Sequence, residues 1–304
     1  MDTTITREIL KKVRQIEVRT RRMVDDTLAG SYHSVFKGRG MNFDEVREYV
    51  PGDEIRTIDW NVTARTGVPH VKKFTEEREL TIMLMIDISR SGSFGSSSQS
   101  KREMMAELGS VLAFSAVRNN DKVGLVLFSD SVELFIPPAK GRSHILRVIR
   151  EILFFQPKGH GTDIGEALDF VNRVAKRKCV TFLLSDFCLP GDFTQSLEQL
   201  RPKWQITGRR HDLILVSVTD PREHALPDVG WITLEDAETG EQIVLNTKDS
   251  WTRNAYATLA KERFDQFTRA VRTSGIDLLQ LSTGEPWLGS LIAFFSSRKR
   301  RIAR

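Results

Sequence analysis

A chain of 304 residues with 40% hydrophobic side chains, 28% charged side chains and a net charge of +5 has ordinary globular composition, which excludes a disordered or fibrous chain and leaves room for one substantial core plus an appendage. Its longest apolar runs, residues 80–88 and 180–184, are far shorter than the ~20 residues of a bilayer-spanning helix, and no basic stretch followed by an apolar one opens the chain, so neither a membrane span nor a signal peptide is expected. There are two cysteines, Cys179 and Cys188, and Cys179 begins a run that reads as a buried strand; no disulfide framework is expected, and a soluble, cytoplasmic protein fits best.

In chain order, Ile5, Ile9, Val13, Ile16 and Met23 recur at helical spacing and predict an amphipathic helix within residues 1–29, stopped by Gly30. Residues 30–78 mix glycines with charges of both signs and sustain no helical period. They predict an irregular, β-rich segment that packs on the main domain rather than folding separately, with Trp60 largely buried. From residue 79 strands and helices alternate. Strands are expected at 80–86, 123–128, 132–136, 179–185 and 212–218, and helices at 101–118, 143–154, 163–177 and 193–201. Gly240 between 231–234 and 242–246 predicts a hairpin. A helix at 250–273, a strand at 276–281 and a short apolar helix at 287–296 follow, and residues 297–304 form a basic tail. Near-continuous Val/Leu/Ile/Phe strands separated by helices predict a doubly wound α/β domain over 79–296 with a mainly parallel sheet.

Basic residues cluster near both ends: Lys11, Lys12, Arg14, Arg19, Arg21 and Arg22, then Arg298, Lys299, Arg300, Arg301 and Arg304. Such clusters either attract nucleic acid, anionic lipid or an acidic protein, or form a solvated helix face and a frayed tail. No aromatic residue interleaves either cluster, which favours the second reading and argues against nucleic acid.

The first strand of the alternating region runs into Asp87-Ile88-Ser89-Arg90-Ser91. Ligands of open α/β sheets bind beyond the carboxyl ends of the strands, where this turn falls. One carboxylate and two hydroxyls at alternate positions can share a pocket, and an oxygen-only set suits a hard cation, Mg²⁺ or Mn²⁺. Two further oxygens can come from the loop Gly159-His160-Gly161-Thr162-Asp163 and from Asp186 at the end of its own apolar strand. The alternative is that Asp87 and the serines only cap a turn.

This constellation resembles the metal-ion-dependent adhesion site of the von Willebrand A family: Asp-x-Ser-x-Ser, a loop Thr and a strand-end Asp. The resemblance implies that Ser89, Ser91 and Thr162 offer hydroxyls directly and that Asp87 and Asp186 hold the ion largely through water. Residues 38–53 (Gly38-Arg39-Gly40, Phe43, Glu45, Arg47, Tyr49 and Pro51-Gly52-Asp53) resemble the bacterial domain-of-unknown-function-58 family. So do Arg56, Ile58-Asp59-Trp60, Ala64-Arg65, Val71-Lys72 and Glu76-Glu77-Arg78. Members are von Willebrand A-like proteins often encoded beside MoxR-type AAA+ ATPases. Many carry N-terminal transmembrane helices, for which this sequence shows no run. The resemblance thus implies an interaction module, adaptor or recruiter, that works with such an ATPase. Within the segment, Arg39, Arg47, Arg56 and Arg65 alternate with acidic residues, and either form a docking surface beside the metal or fix an irregular backbone through ion pairs.

No complete catalytic constellation is found. A haloacid-dehalogenase-like phosphatase needs an acid two residues after its strand-end Asp, and Ser89 stands there. There is no phosphate loop, no zinc-type histidine spacing and no evident His to activate Cys188. Only the carboxylates and the basic charge favour the alternative of a metal-dependent phosphohydrolase or nuclease.

Overall fold

The computed structural model describes residues 42–75, 79–97 and 99–302. The expected N-terminal helix, Arg39 and Glu76 to Arg78 lie outside these residues.

The described residues open with strand β1 (Asn42–Glu48), a 3₁₀ turn (Ile55–Thr57), helix α1 (Trp60–Thr66) and strand β2 (His70–Thr75). β1 and β2 pair antiparallel in a two-stranded sheet of their own. Two expectations are corrected here. The segment contains a true helix, capped by Asp59, whose carboxylate accepts the N–H groups of Asn61 and Val62, and closed by Gly67 in the left-handed conformation. And Trp60, expected to be buried, is 68% exposed, because it opens a short helix that buries none of its residues.

The main sheet takes β3 (Thr81–Asp87), β4 (Lys122–Phe128), β5 (Val132–Ala139), β6 (Val180–Ser185), β7 (Asp212–Thr219) and β10 (Asp277–Ser282), in the order β10-β7-β6-β3-β4-β5. All neighbours are parallel except the β4–β5 pair, so the fold is α/β with a mainly parallel sheet and one antiparallel edge. The chain leaves β3 toward β4 and β5, then returns to β6 on the other side of β3. The crevice between the carboxyl ends of β3 and β6 is therefore the topological switch point, where such sheets bind ligands.

Helices α2 (Lys101–Arg118), α3 (Arg142–Phe154), α4 (Ile164–Val174), α5 (Phe193–Arg210), the single turn α6 (Pro221–His224), α7 (Ser250–Thr273) and α8 (Trp287–Ile302) complete the layers, with a hairpin of β8 (Trp231–Glu235) and β9 (Gln242–Asn246). Alternation along β3 divides the core in two. Ile82, Leu84 and Ile86 pack with residues of α2, α3 and α8, while Met83 and Met85 pack with residues of α4, α5 and α7.

Two helices run past their expected ends. α5 continues through Pro202 because Trp204, beyond it, is fully buried and donates its indole N–H to Ser274 Oγ at 3.1 Å. Burial of an indole outweighs the hydrogen bond a proline removes. α8 runs to Ile302 rather than ending at 296, and Arg298, read as part of a tail, is buried against Asp212 and Asp277. Among the described residues no helix is long and apolar enough to cross a membrane, and both cysteines are free.

Candidate metal centre

Asp87 ends β3 at 1% exposure. Its Oδ1 accepts the Ser89 N–H at 2.9 Å and its Oδ2 accepts the Ser185 hydroxyl at 2.6 Å, so the carboxylate is fixed in one orientation. Burial, then the charge of nearby Asp186, pushes its pKa up from 3.8 to about 7. Ser89 precedes a 3₁₀ turn (Arg90–Ser93) that carries Ser91; both serines are buried, their hydroxyls 3.1 Å apart.

Thr162 comes from the loop before α4. Backbone bonds tie that loop to its neighbours: Asp163 N–H to Ser129 O at 2.7 Å, and Arg90 N–H to His160 O at 3.3 Å. Glu133 Oε1 accepts the N–H groups of Lys158 and Gly159, both at 2.8 Å. The close approach requires glycine at 159, where a Cβ would stand 2.1 Å from Asp130 Oδ1 and 2.4 Å from Ser129 Oγ. Thr162 is buried, and its hydroxyl donates to Glu238 Oε1 at 3.0 Å. Burial raises the pKa of Glu238; the Thr162 bond opposes this and the charge of Asp186 adds to it.

Asp186 follows β6. Its Oδ1 accepts the Cys188 N–H at 3.0 Å, across a turn in which Phe187 adopts φ +55° while its ring packs on Phe267. Its Oδ2 accepts from the Lys101 ammonium at 2.6 Å. Lys101, 1% exposed at the first position of α2, also bonds Glu223. Burial alone would lower its pKa, but the charges of Asp186 and Glu223 hold it above its ordinary value. Glu223 is anchored in turn through its Oε2, which accepts the Asp220 N–H at 2.8 Å.

Asp87 ends β3 and Asp186 follows its neighbour β6, with Ser89 and Ser91 in the turn after β3 and Thr162 in the loop before α4 that bonds to that turn through His160 O. Within that set, Asp87 accepts the Ser89 N–H, the Ser89 and Ser91 hydroxyls meet, and Asp87 feels the charge of Asp186. The donor set is of the kind a hard divalent cation takes, since every group is an oxygen. Among the described residues no three or more His, Cys, Asp or Glu groups gather as a metal cluster.

Sequence reasoning missed Ser185, Lys101, Glu223 and Glu238. Lys101 had one readable signal. A cation in the first turn opposes the helix dipole, so a lysine there calls for a nearby carboxylate. Of the four arginines, Arg47 makes a two-pronged pair with Asp53 at 2.7 and 2.8 Å, and Arg56 and Arg65 are exposed. Beside Asp186 and Glu223 opens a largely apolar cavity of about 450 Å³, walled by Phe187, Tyr256, Phe264 and Phe267.

Comparison with known families decides the assignment. The model for "Protein of unknown function DUF58" matches residues 45–266. The chain belongs to the DUF58 family. Its mainly parallel sheet, with Asp-x-Ser-x-Ser at the end of β3, makes it a von Willebrand A-like member. An uncharacterized protein of Mycobacterium tuberculosis is 31% identical over 290 residues, 95% of this chain and 89% of that protein. Among solved structures, BatB from Bacteroides thetaiotaomicron aligns with a TM-score of 0.46 at 15% identity, over 73% of this chain and 99% of BatB. The SpRpn10 VWA domain aligns with a TM-score of 0.41 at 12% identity, over 71% of this chain and 94% of that domain.

Proposed function

We propose that this DUF58 protein is a metal-dependent protein-interaction module. Asp87, Ser89, Ser91, Thr162 and Asp186 hold Mg²⁺ or Mn²⁺, and the ion in turn takes a Glu or Asp side chain of a partner protein. What supports this reading is that Asp87 and Asp186 lie at the carboxyl ends of neighbouring strands β3 and β6, with Ser89, Ser91 and Thr162 buried in the loops beyond β3 and before α4. Hydroxyl ligands add no charge, so the ion keeps an electrostatic demand that an arriving carboxylate meets. The family resemblance supplies the partner, a MoxR-type AAA+ ATPase, with this chain as adaptor or recruiter. No membrane-spanning segment or nucleic acid enters the reading.

The test is recovery of the native complex on tagged full-length protein, with wild type, Asp87→Ala and Thr162→Ala, each with and without chelator. Circular dichroism confirms that the variants are folded. Partner recovery is expected to fall at least tenfold in both variants and in chelator. Undiminished recovery in all three arms would remove the metal from the docking site and leave Arg47, Arg56 and Arg65, with Arg39, as the better candidates.

A further inference from the structure

The proposed centre already faces a carboxylate of its own chain. Glu238 lies in the turn of the β8–β9 hairpin, far from the site in sequence, and its Oε1 accepts from Thr162 at 3.0 Å. The turn is built to hold it there. Asp236 Oδ1 accepts the N–H groups of Glu238 at 2.9 Å and Thr239 at 2.8 Å. The Gly240 N–H bonds Asp236 O at 2.8 Å, with Gly240 at φ +75°. Gly161 faces the same carboxylate, since a Cβ there would lie 3.6 Å from Glu238 Oε2.

The spacing fits coordination. Adjacent oxygen ligands of an octahedral Mg²⁺, each ~2.0–2.1 Å from the ion, lie ~3 Å apart. The Thr162–Glu238 pair at 3.0 Å and the Ser89–Ser91 pair at 3.1 Å both have that separation. A hydroxyl that donates its proton to Glu238 keeps its lone pairs for a metal, so one Thr162 oxygen can serve both.

We infer that Glu238 is an intramolecular carboxylate ligand of the ion and the resident competitor of any partner's acid. This inference rests on the metal reading of the site. The hairpin is suited to yield: it is a two-stranded sheet apart from the main one, with Trp231, Ile243 and Val244 exposed. An isolated two-stranded hairpin is marginal on its own, and such elements open at low cost. A partner's carboxylate then displaces Glu238, and the hairpin moves aside with it.

The experiment is titration of the full chain with Mn²⁺, read by calorimetry and by the water-proton relaxation of the bound ion, then with acetate as a probe carboxylate. Wild type, Glu238→Gln, Asp87→Ala and the hairpin control Glu241→Gln are compared. Glu238→Gln is expected to weaken Mn²⁺ binding ~10–100-fold, the scale on which groups around a metal act. It should also raise the relaxation, because water takes the freed position, and let acetate lower it again. Glu241→Gln should match wild type. If Asp87→Ala loses Mn²⁺ while Glu238→Gln keeps wild-type affinity and relaxation, Glu238 is no ligand although the centre stands. Equal losses in Glu238→Gln and Glu241→Gln would reduce the effect to general charge and overturn the inference. Wild-type binding in Asp87→Ala would remove the centre itself.

Discussion

Asp87 carries the sharpest consequence of its surroundings. Its pKa is about 7 in the folded chain against an ordinary 3.8. Between these values the native protein holds a proton that the unfolded chain has released, so the group stabilises fully at the acid end and the contribution is lost as pH rises through about 7. In chelator, the melting temperature of wild type minus that of Asp87→Asn is therefore expected to fall between pH 4 and 8. A flat difference would show that burial and Asp186 do not act on this carboxyl. Mg²⁺ favours the ionised form, so its affinity should climb over the same range. The residues of this centre differ in how far the sequence exposes them. Asp87, Ser89, Ser91, Thr162 and Asp186 sit at ends of apolar runs or in a glycine-rich loop, places where the strands of a parallel sheet give way to ligand-binding loops. Lys101, Glu223 and Glu238 reach the site through partners 85, 122 and 76 positions away, and no local pattern encodes such a meeting.

At the scale of elements, the apolar pattern located the main-sheet strands and most helices, clearest for β3, β4, β6 and β7, which are buried along nearly their whole length. It failed where long-range packing decides: α5 crosses Pro202 to seat Trp204, and α8 extends through Arg298 to meet Asp212 and Asp277. The segment of β1, α1 and β2 is the opposite case, charge-rich and without a sustained period, and there the expectation for Trp60 was wrong. An aromatic ring in a polar segment suggested burial, whereas the ring is exposed on α1; Val71 of β2 is buried. Exposure sets the prediction. Trp60→Ala should change stability by less than ~0.5 kcal/mol, as for ordinary surface positions, rather than the ~3–5 kcal/mol of a buried tryptophan. Urea denaturation decides between them, and a loss near the larger figure would mean that the ring is covered in solution.

For the whole molecule, the sheet class was legible in near-continuous apolar strands, but the strand order was not, because nothing local says on which side of β3 the chain returns. That return creates the switch point and brings the charge of Asp186, after β6, to bear on Asp87 at the end of β3. Lys101 is the cation the fold itself supplies there, shared between Asp186 and Glu223. Removing one partner of a buried ion pair leaves the other charge uncompensated, at a cost of about 3–5 kcal/mol. Lys101→Met, close to lysine in length and apolar, should therefore lower the unfolding free energy by about that amount in chelator. Mg²⁺ should then act differently on the two proteins. An ion that binds only the native state stabilises by about 2.7 kcal/mol at a free concentration of ~100 Kd. Without Lys101, the charge of Asp186 falls wholly to the ion, so Kd is lower and the gain at a fixed Mg²⁺ concentration is larger than in wild type. Paired urea titrations at pH 8, with chelator and with Mg²⁺, measure both gains. Equal gains would show that Lys101 and the ion do not share Asp186, and that the ammonium serves the fold alone.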